Sequence, residues 1–336
     1  MGRYVLSRFA QAIPVLVLSS IVIFLVLYLA PGDPATSLAG TEATPAQVAQ
    51  LRHHLGLDKP LWHQYLLWAN RVLHGDFGHS YLNQLPTLSL IWGRVPASAE
   101  LAGAALAITL LVGIPLGILT SLRPGGLIDR GMSATTAVMI AVPNFWLGII
   151  GILLFGIKLG WLPVGGYVTP SESFGGWAKA LVLPAVALAV EQVAILTRFV
   201  RTGMVETHNA DFMRTAKSKG LPRRIVVTRH QFRNSLTPVI TVLGLHVGRL
   251  MGGAVVIETV FAWPGLGRLL AQSVQDRDYA VVQGIMLLLV VWFVLVNLLT
   301  DLAYGWSDPR MRVARRGPRI RDSRLGARMR VARRSA

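Results

Sequence analysis

Very few residues of this chain stand at spacings that could do covalent chemistry. The nearest approach to a phosphate-cradling GxxxxGK[ST] loop runs from Gly151 to Lys158, and Ile157 stands where the lysine should be. No GxSxG or HExxH stretch and no paired-carboxylate arrangement suited to a membrane hydrolase is present. Five of the eight histidines, His53, His54, His63, His74 and His79, fall in one segment and raise nickel, copper or zinc capture. No HxxH or HxxxH pair sets two of these imidazoles on one helix face, and only Asp58 and Asp76 lie near, so solvated histidines are the expectation. The chain has no cysteine, which excludes thiol chemistry, disulfides and zinc-thiolate sites. What remains are polar residues inside long apolar runs: Glu191, Gln192, His246, Arg249, Asn297 and Asp301. Charge in hydrocarbon is costly and marks either a pathway or a contact between helices. Arg249, near the middle of its run, is the candidate to face an aqueous path and meet a carboxylate, with His246 and Glu191 as further path candidates.

The elements that must position these residues follow from composition. With 336 residues, 53% hydrophobic, 15% charged and a mean hydropathy of +0.51, the chain is too apolar for a soluble domain. The fold class expected is an all-α polytopic membrane protein with six transmembrane helices, over residues 9–30, 101–122, 132–157, 178–198, 236–257 and 281–301. The first run is longer than a signal-peptide core, so it is kept as a helix. Pro14, Pro115, Pro143 and Pro184 allow kinks, while Gly113 with Gly117, and Gly244, Gly248 and Gly252, allow close helix approach.

The formal charge of +17 suggests nucleic acid at first sight, but the basic residues lie between and after apolar runs rather than on a soluble face, so nucleic acid is excluded as a partner. Topology accounts for them. Residues 1–8, the turn at 123–130, the stretch 199–235 with its flanking Arg198, and the tail 302–336 hold most of the Lys and Arg, and the positive-inside rule makes that side, with both termini, cytoplasmic. The opposite side then carries a segment at 31–100, read as two or three short helices packed over the membrane face, and a shorter one at 258–280. In the latter, Pro264, Gly265 and Gly267 precede a short amphipathic helix at an external mouth, and Glu258 and Asp301 lie near span ends where hydration makes their charge cheaper. The Arg-rich tail reads as disordered and in contact with anionic membrane lipid.

The stretch DFMRTAKSKGLPRR is polar and basic between two spans, yet it carries helix punctuation. Asn209 is an expected N-cap, Asp211 sits in the first turn, Lys217 and Lys219 sit at the end, Gly220 suits the left-handed position beyond a helix, and Pro222 restarts the chain. Phe212, Met213 and Ala216 share a face, forming an apolar knob in a cationic surround that suits a groove on a partner.

Arg214, Thr215, Ala216, Lys217, Ser218, Lys219 and Gly220, followed by His230, Asn234, Leu236 and Pro238, resemble the EAA loop of bacterial ABC importer permeases in its dipeptide and oligopeptide form. Arg214 replaces the Glu of the general pattern, and Thr215–Ala216 replaces Ala-Ala, both as in that subgroup. The stretches LGLDKPLWHQYLLWANRVLHGDFGHS, VPNFWLG, GGAVVIETVFAWPGLGRLL and DRDYAVVQG resemble the subgroup's other landmarks in order, so the likeness runs from Arg3 to Pro309. It implies a type I importer permease fold in the bacterial inner membrane. It also implies a second homologous permease, two ABC ATPases that use ATP and magnesium, an extracytoplasmic solute-binding protein, and no cofactor or catalysis on this chain. Asp211, Phe212, Arg214, Thr215, Ala216, Lys217, Lys219 and Gly220 would form a coupling helix docked in an ATPase cleft, and Glu258, Phe261, Trp263 and Pro264 an outer gate. The alternatives are the same architecture carrying nickel, another metal complex, glutathione or a sugar, and an ion-coupled carrier with Glu191 or Asp301 as proton site.

Overall fold

The computed structural model describes residues 2–29, 35, 43–54 and 56–307. The expected disordered tail beyond residue 307 lies outside the described residues, as does most of 30–42. The chain runs through α1 (Gly2–Leu29), α2 (Pro45–His54), α3 (Leu61–Leu73), α4 (Thr87–Ser121), α5 (Leu127–Ala141), and α6 (Asn144–Gly151), which continues as a π-helical stretch over Ile152–Lys158. Then follow α7 (Phe174–His208), α8 (Asp211–Ser218), α9 (Arg223–Ile225) with a second π-helical stretch over Val226–Phe232, α10 (Leu236–Gly253), α11 (Val255–Val260), α12 (Leu266–Gln275) and α13 (Tyr279–Ser307). Among the described residues the protein is all-α, with one isolated β-bridge between His79 and Pro86.

Among the described residues four helices are long and apolar enough to cross a membrane: the Leu6–Val26 part of α1, α4, α7, and the Tyr279–Leu302 part of α13. The expected spans at 101–122 and 178–198 are the middles of 35-residue helices, because the polar segments flanking them stay helical. The expected single span at 132–157 is instead two helices bent by 94° at the break before Asn144. Pro143 is the cause, since its ring drives Val142 out of helical geometry, to φ −86°, ψ 124°. The expected span at 236–257 is likewise divided, into α10 and α11 at Ala254.

The central pair is α4 against α7, whose closest approach is made by glycine: a Cβ built on Gly117 would lie 2.6 Å from Val200 Cβ. Gly244 brings α10 against α13 in the same way, and its Cβ would fall 2.1 Å from Thr300 Oγ1. Around the first pair, Ala97, Leu101, Ala105, Ala187, Leu188 and Val193 are buried together with Ile257, Phe261 and Trp263. α1 stands beside α13, and Arg8 pairs with Asp301 at 3.1 Å. The paired helices thus carry two differentiated ends, at opposite termini of α4.

Candidate functional site

At the Ser121 end of α4 lies the basic stretch. α8 is helical over Asp211–Ser218 as its punctuation suggests, and Gly220 takes φ +67°, a conformation only glycine adopts without strain. Asn209 does not cap it: this residue closes α7, its N–H donating to the Glu206 carbonyl while the Ala210 N–H donates to that of Thr207. The connection between the two helices is so short that the end of one takes the residue expected to start the next. The apolar knob is divided as well. Met213 and Ala216, three residues apart, are buried at 0% and 5% exposure against the body of the protein, whereas Phe212 is 44% exposed. α8 is therefore anchored by one edge and presents Phe212 among exposed Asp211, Arg214, Thr215, Ser218 and Lys219. Lys217 belongs to the helix, but its side chain lies outside the described residues.

The platform beneath α8 is the Val226–Phe232 stretch. Gln231, buried, donates through Nε2 to the Met204 carbonyl at 2.8 Å, tying that stretch to α7. A cavity of about 360 Å³ opens between Ser121, Leu122, His208, Leu221, Arg223 and Gln231. α7 is fixed in turn to the first turn of α5. Arg201 donates through Nε and Nη2 to both oxygens of buried Asp129, and the Gly125 N–H adds a bond to Asp129 Oδ2 at 2.7 Å. A bidentate guanidinium–carboxylate pair is both strong and geometrically specific, so it ties α7 to the start of α5. Neither Asp129 nor Arg201 carried a local sequence signal, since 72 positions separate them.

At the far end, Glu258 contradicts its expected hydration: it has 0% exposure. It is tolerable there because it closes a helix end. Glu258 Oε2 accepts from the N–H groups of Gly267 at 2.7 Å and Arg268 at 3.0 Å, and Oε1 accepts from Ser98 Oγ at 2.6 Å. Ser98 Oγ itself accepts the Leu266 N–H at 2.7 Å. The first three amides of α12, which no helix can satisfy internally, are thereby all paired, and the carboxylate lies on the positive end of the helix dipole. The glycines make this possible: a Cβ on Gly265 would fall 2.2 Å from Glu258 Cδ, and one on Gly267 would fall 2.5 Å from Val255 Cα.

Phe261 and Trp263, expected at a gate or anchored in the interface, are buried at 1% and 0%, and Pro264 is half-buried. Trp263 donates from Nε1 to the Ala97 carbonyl at 2.7 Å and meets Tyr167 edge-on at 4.8 Å. Tyr167 and Trp177 both donate to Glu100, and the Gly166 N–H donates to the Phe261 carbonyl at 2.9 Å. Burial and the adjacent Glu100 charge raise the Tyr167 phenol above its usual pKa and keep it a donor. Asp278, also buried, accepts from Ser80 Oγ and from the Tyr81 N–H at 3.1 Å, which fastens the 76–86 loop to the start of α13. Ser98, Glu100 and Asp278 were invisible to sequence reasoning because their partners lie 67 to 198 positions away.

Of the path candidates, Glu191 is half-buried on α7 and His246 is buried on α10, a helix that packs against α7. Gln192 beside Glu191 holds an Oε1 shielded from solvent with no hydrogen-bond partner among the described residues. Arg249 belongs to α10, and its side chain lies outside the described residues. The described residues contain no group of three or more His, Asp or Glu able to hold a metal ion.

Residues 113–313 match the family model described as the binding-protein-dependent transport system inner membrane component, and residues 1–102 match the N-terminal model of the same systems. The chain belongs to this permease family. A putative peptide transport system permease protein of Brucella abortus (strain 2308) is 43% identical over 93% of this chain and 99% of its own. The oligopeptide transport system permease protein AppB of Bacillus subtilis (strain 168) is 37% identical over 93% of this chain and 99% of its own. Among solved structures, the MetNI methionine ABC transporter in an inward-facing form aligns with a TM-score of 0.54 at 18% identity, covering 66% of this permease and 97% of that chain. At that identity the likeness concerns the fold, which is that of an ABC importer permease.

Proposed function

We propose that this permease is one of two homologous membrane subunits of an ATP-driven importer for dipeptides or oligopeptides in a bacterial inner membrane. Its relatives named as peptide permeases support the cargo class, and the observation that carries the coupling role is α8, held by Met213 and Ala216 while Phe212 projects among polar and charged neighbours. In this reading the basic end is cytoplasmic, together with both termini, and α8 sits in a cleft of an ABC ATPase. Two such ATPases bind and hydrolyse ATP with magnesium, and this chain performs no catalysis and binds no cofactor. Closure of the ATPases would push α8 and its platform as one body. The Gln231–Met204 bond and the Arg201–Asp129 pair carry that push into α7 and α5. The far end, with Phe261, Trp263 and Pro264 around caged Glu258, meets a peptide-loaded binding protein and forms the outer gate. Since Phe261 and Trp263 are packed inside, the gate opens by movement of the α11–α12 unit rather than by swinging of single aromatic side chains.

The test is reconstitution of the full complex in proteoliposomes with its binding protein and labelled peptide, nickel or glutathione. ATP-dependent accumulation of peptide supports the reading. Accumulation of nickel or glutathione alone would transfer the same machine to another cargo, and accumulation driven by a proton gradient without ATP would replace it with an ion-coupled carrier.

A further inference from the structure

The segment between α1 and α4 contains an apolar surface that the transport reading leaves unused. α3 packs on α1 through Tyr65 and Trp68, which meet Phe24 at ring distances of 5.6 and 5.7 Å, and through a 2.9 Å hydrogen bond between Tyr65 and Ser20. Gln64 ties another side of α3 to the Leu57 and Lys59 carbonyls, and Asn70, Arg71 and His74 are exposed. Flanking the α1-facing side is an open stripe: Trp62 at 65%, Leu66 at 56% and Leu73 at 85% exposure, at positions i, i+4 and i+11 of one helix face. Three large apolar side chains in register on an amphipathic helix are not a chance scatter of surface hydrophobes.

The position of α3 along α1 says what covers the stripe. The α1 ridge carrying Ser20 and Phe24 continues away from α3 as Val17 and Ile13, at 46% and 60% exposure, within the Leu6–Val26 membrane span. At 1.5 Å per residue that 21-residue window is about 31 Å long, the thickness of a bilayer's hydrocarbon core. Phe24 and Ser20 lie within about the last two turns of that span, so α3 crosses α1 in the layer where hydrocarbon gives way to headgroups. At that depth a helix with tryptophan and leucine on one face and arginine and histidine on another lies in the interface plane.

We propose that α3 is an interfacial helix whose Trp62–Leu66–Leu73 stripe is seated in the headgroup and upper acyl layer of the bilayer, fixing the 43–86 segment to the membrane surface as well as to α1. The proposal rests on the membrane assignment and not on cargo or on ATPase docking.

The absence of cysteine lets one label report from one site of this chain. Leu66→Cys and Leu73→Cys, and for contrast Arg71→Cys and His74→Cys, are each spin-labelled in the full complex in lipid nanodiscs, with the unsubstituted chain as background. Collision with dissolved oxygen and with a water-soluble nickel chelate is then measured by power-saturation EPR. The expected result is oxygen-dominated relaxation at 66 and 73 and chelate-dominated relaxation at 71 and 74. Chelate-dominated relaxation at all four sites would overturn the proposal. So would immobile labels at 66 and 73 shielded from both reagents, which would mean that a protein surface covers the stripe.

Discussion

Replacing Glu258 separates its two properties, shape and charge. In Glu258→Ala the N–H groups of Gly267 and Arg268 lose their acceptor inside a site of 0% exposure, and Ser98 Oγ loses its own. Each stranded backbone donor costs about 1–3 kcal/mol, and loss of one member of a buried charged network about 3–5 kcal/mol, so the expected destabilisation is about 3–5 kcal/mol. In Glu258→Gln the amide oxygen still accepts both N–H groups, and its NH2 faces Ser98 Oγ, whose hydroxyl can turn to accept. What remains lost is the acceptor for the Ser98 O–H, about 1 kcal/mol, and the negative charge at the α12 N-terminus, up to about 2 kcal/mol in a buried geometry. Thermal unfolding of the purified permease in mild detergent should therefore rank wild type above Gln and Gln well above Ala, with transport falling in the same order. Equal melting of Ala and wild type, or Gln as damaging as Ala, would refute the cage.

Further outcomes follow from the same packing. Gly267→Ala pushes a methyl into the Val255 backbone and should cost about 1–3 kcal/mol, seen as a lower melting temperature without change in membrane insertion. Asp129→Asn weakens the bidentate link to a part-exposed Arg201, so a loss of about 1–3 kcal/mol is expected, with ATP use continuing while uptake falls; a double-mutant cycle with Arg201→Gln measures it. Phe212→Ala should leave melting within about 0.5 kcal/mol of wild type, because the side chain is already exposed, yet abolish stimulation of the ATPase by loaded binding protein. Met213→Ala, one residue along, should instead destabilise by about 2–5 kcal/mol.

Hydropathy located most of the helices that are long and apolar enough to cross a membrane, because a run such as 281–301 has no other stable place to be. It read the ends poorly. Polar residues of Thr87–Glu100 continue α4 for reasons of tertiary contact, Ser98 and Glu100 pairing with elements far along the chain. Local punctuation was sound where the controlling interaction is local: Gly220 has its positive φ, and Pro143 makes the bend. It misassigned Asn209, because a cap signal does not say which of two abutting helices owns it. The wheel grouped Phe212 with Met213 and Ala216 by hydrophobicity, but only the fold decides which part of an apolar arc meets its own chain. For Glu258, distance from the span centre suggested water, whereas the neighbouring Pro-Gly-Leu-Gly turn was the legible sign of a helix N-terminus brought within reach of a carboxylate.

The central claim, that this chain works as half of an ATP-driven permease coupled through α8, is tested most directly by mild-detergent purification of the tagged chain from its native membrane. Mass spectrometry of the co-purifying proteins is run in parallel on wild type and Phe212→Asp. A second permease and an ABC ATPase are expected with wild type, and loss of the ATPase alone with the variant. Recovery of the wild-type chain without either subunit, under conditions that keep other ABC complexes together, would contradict the claim.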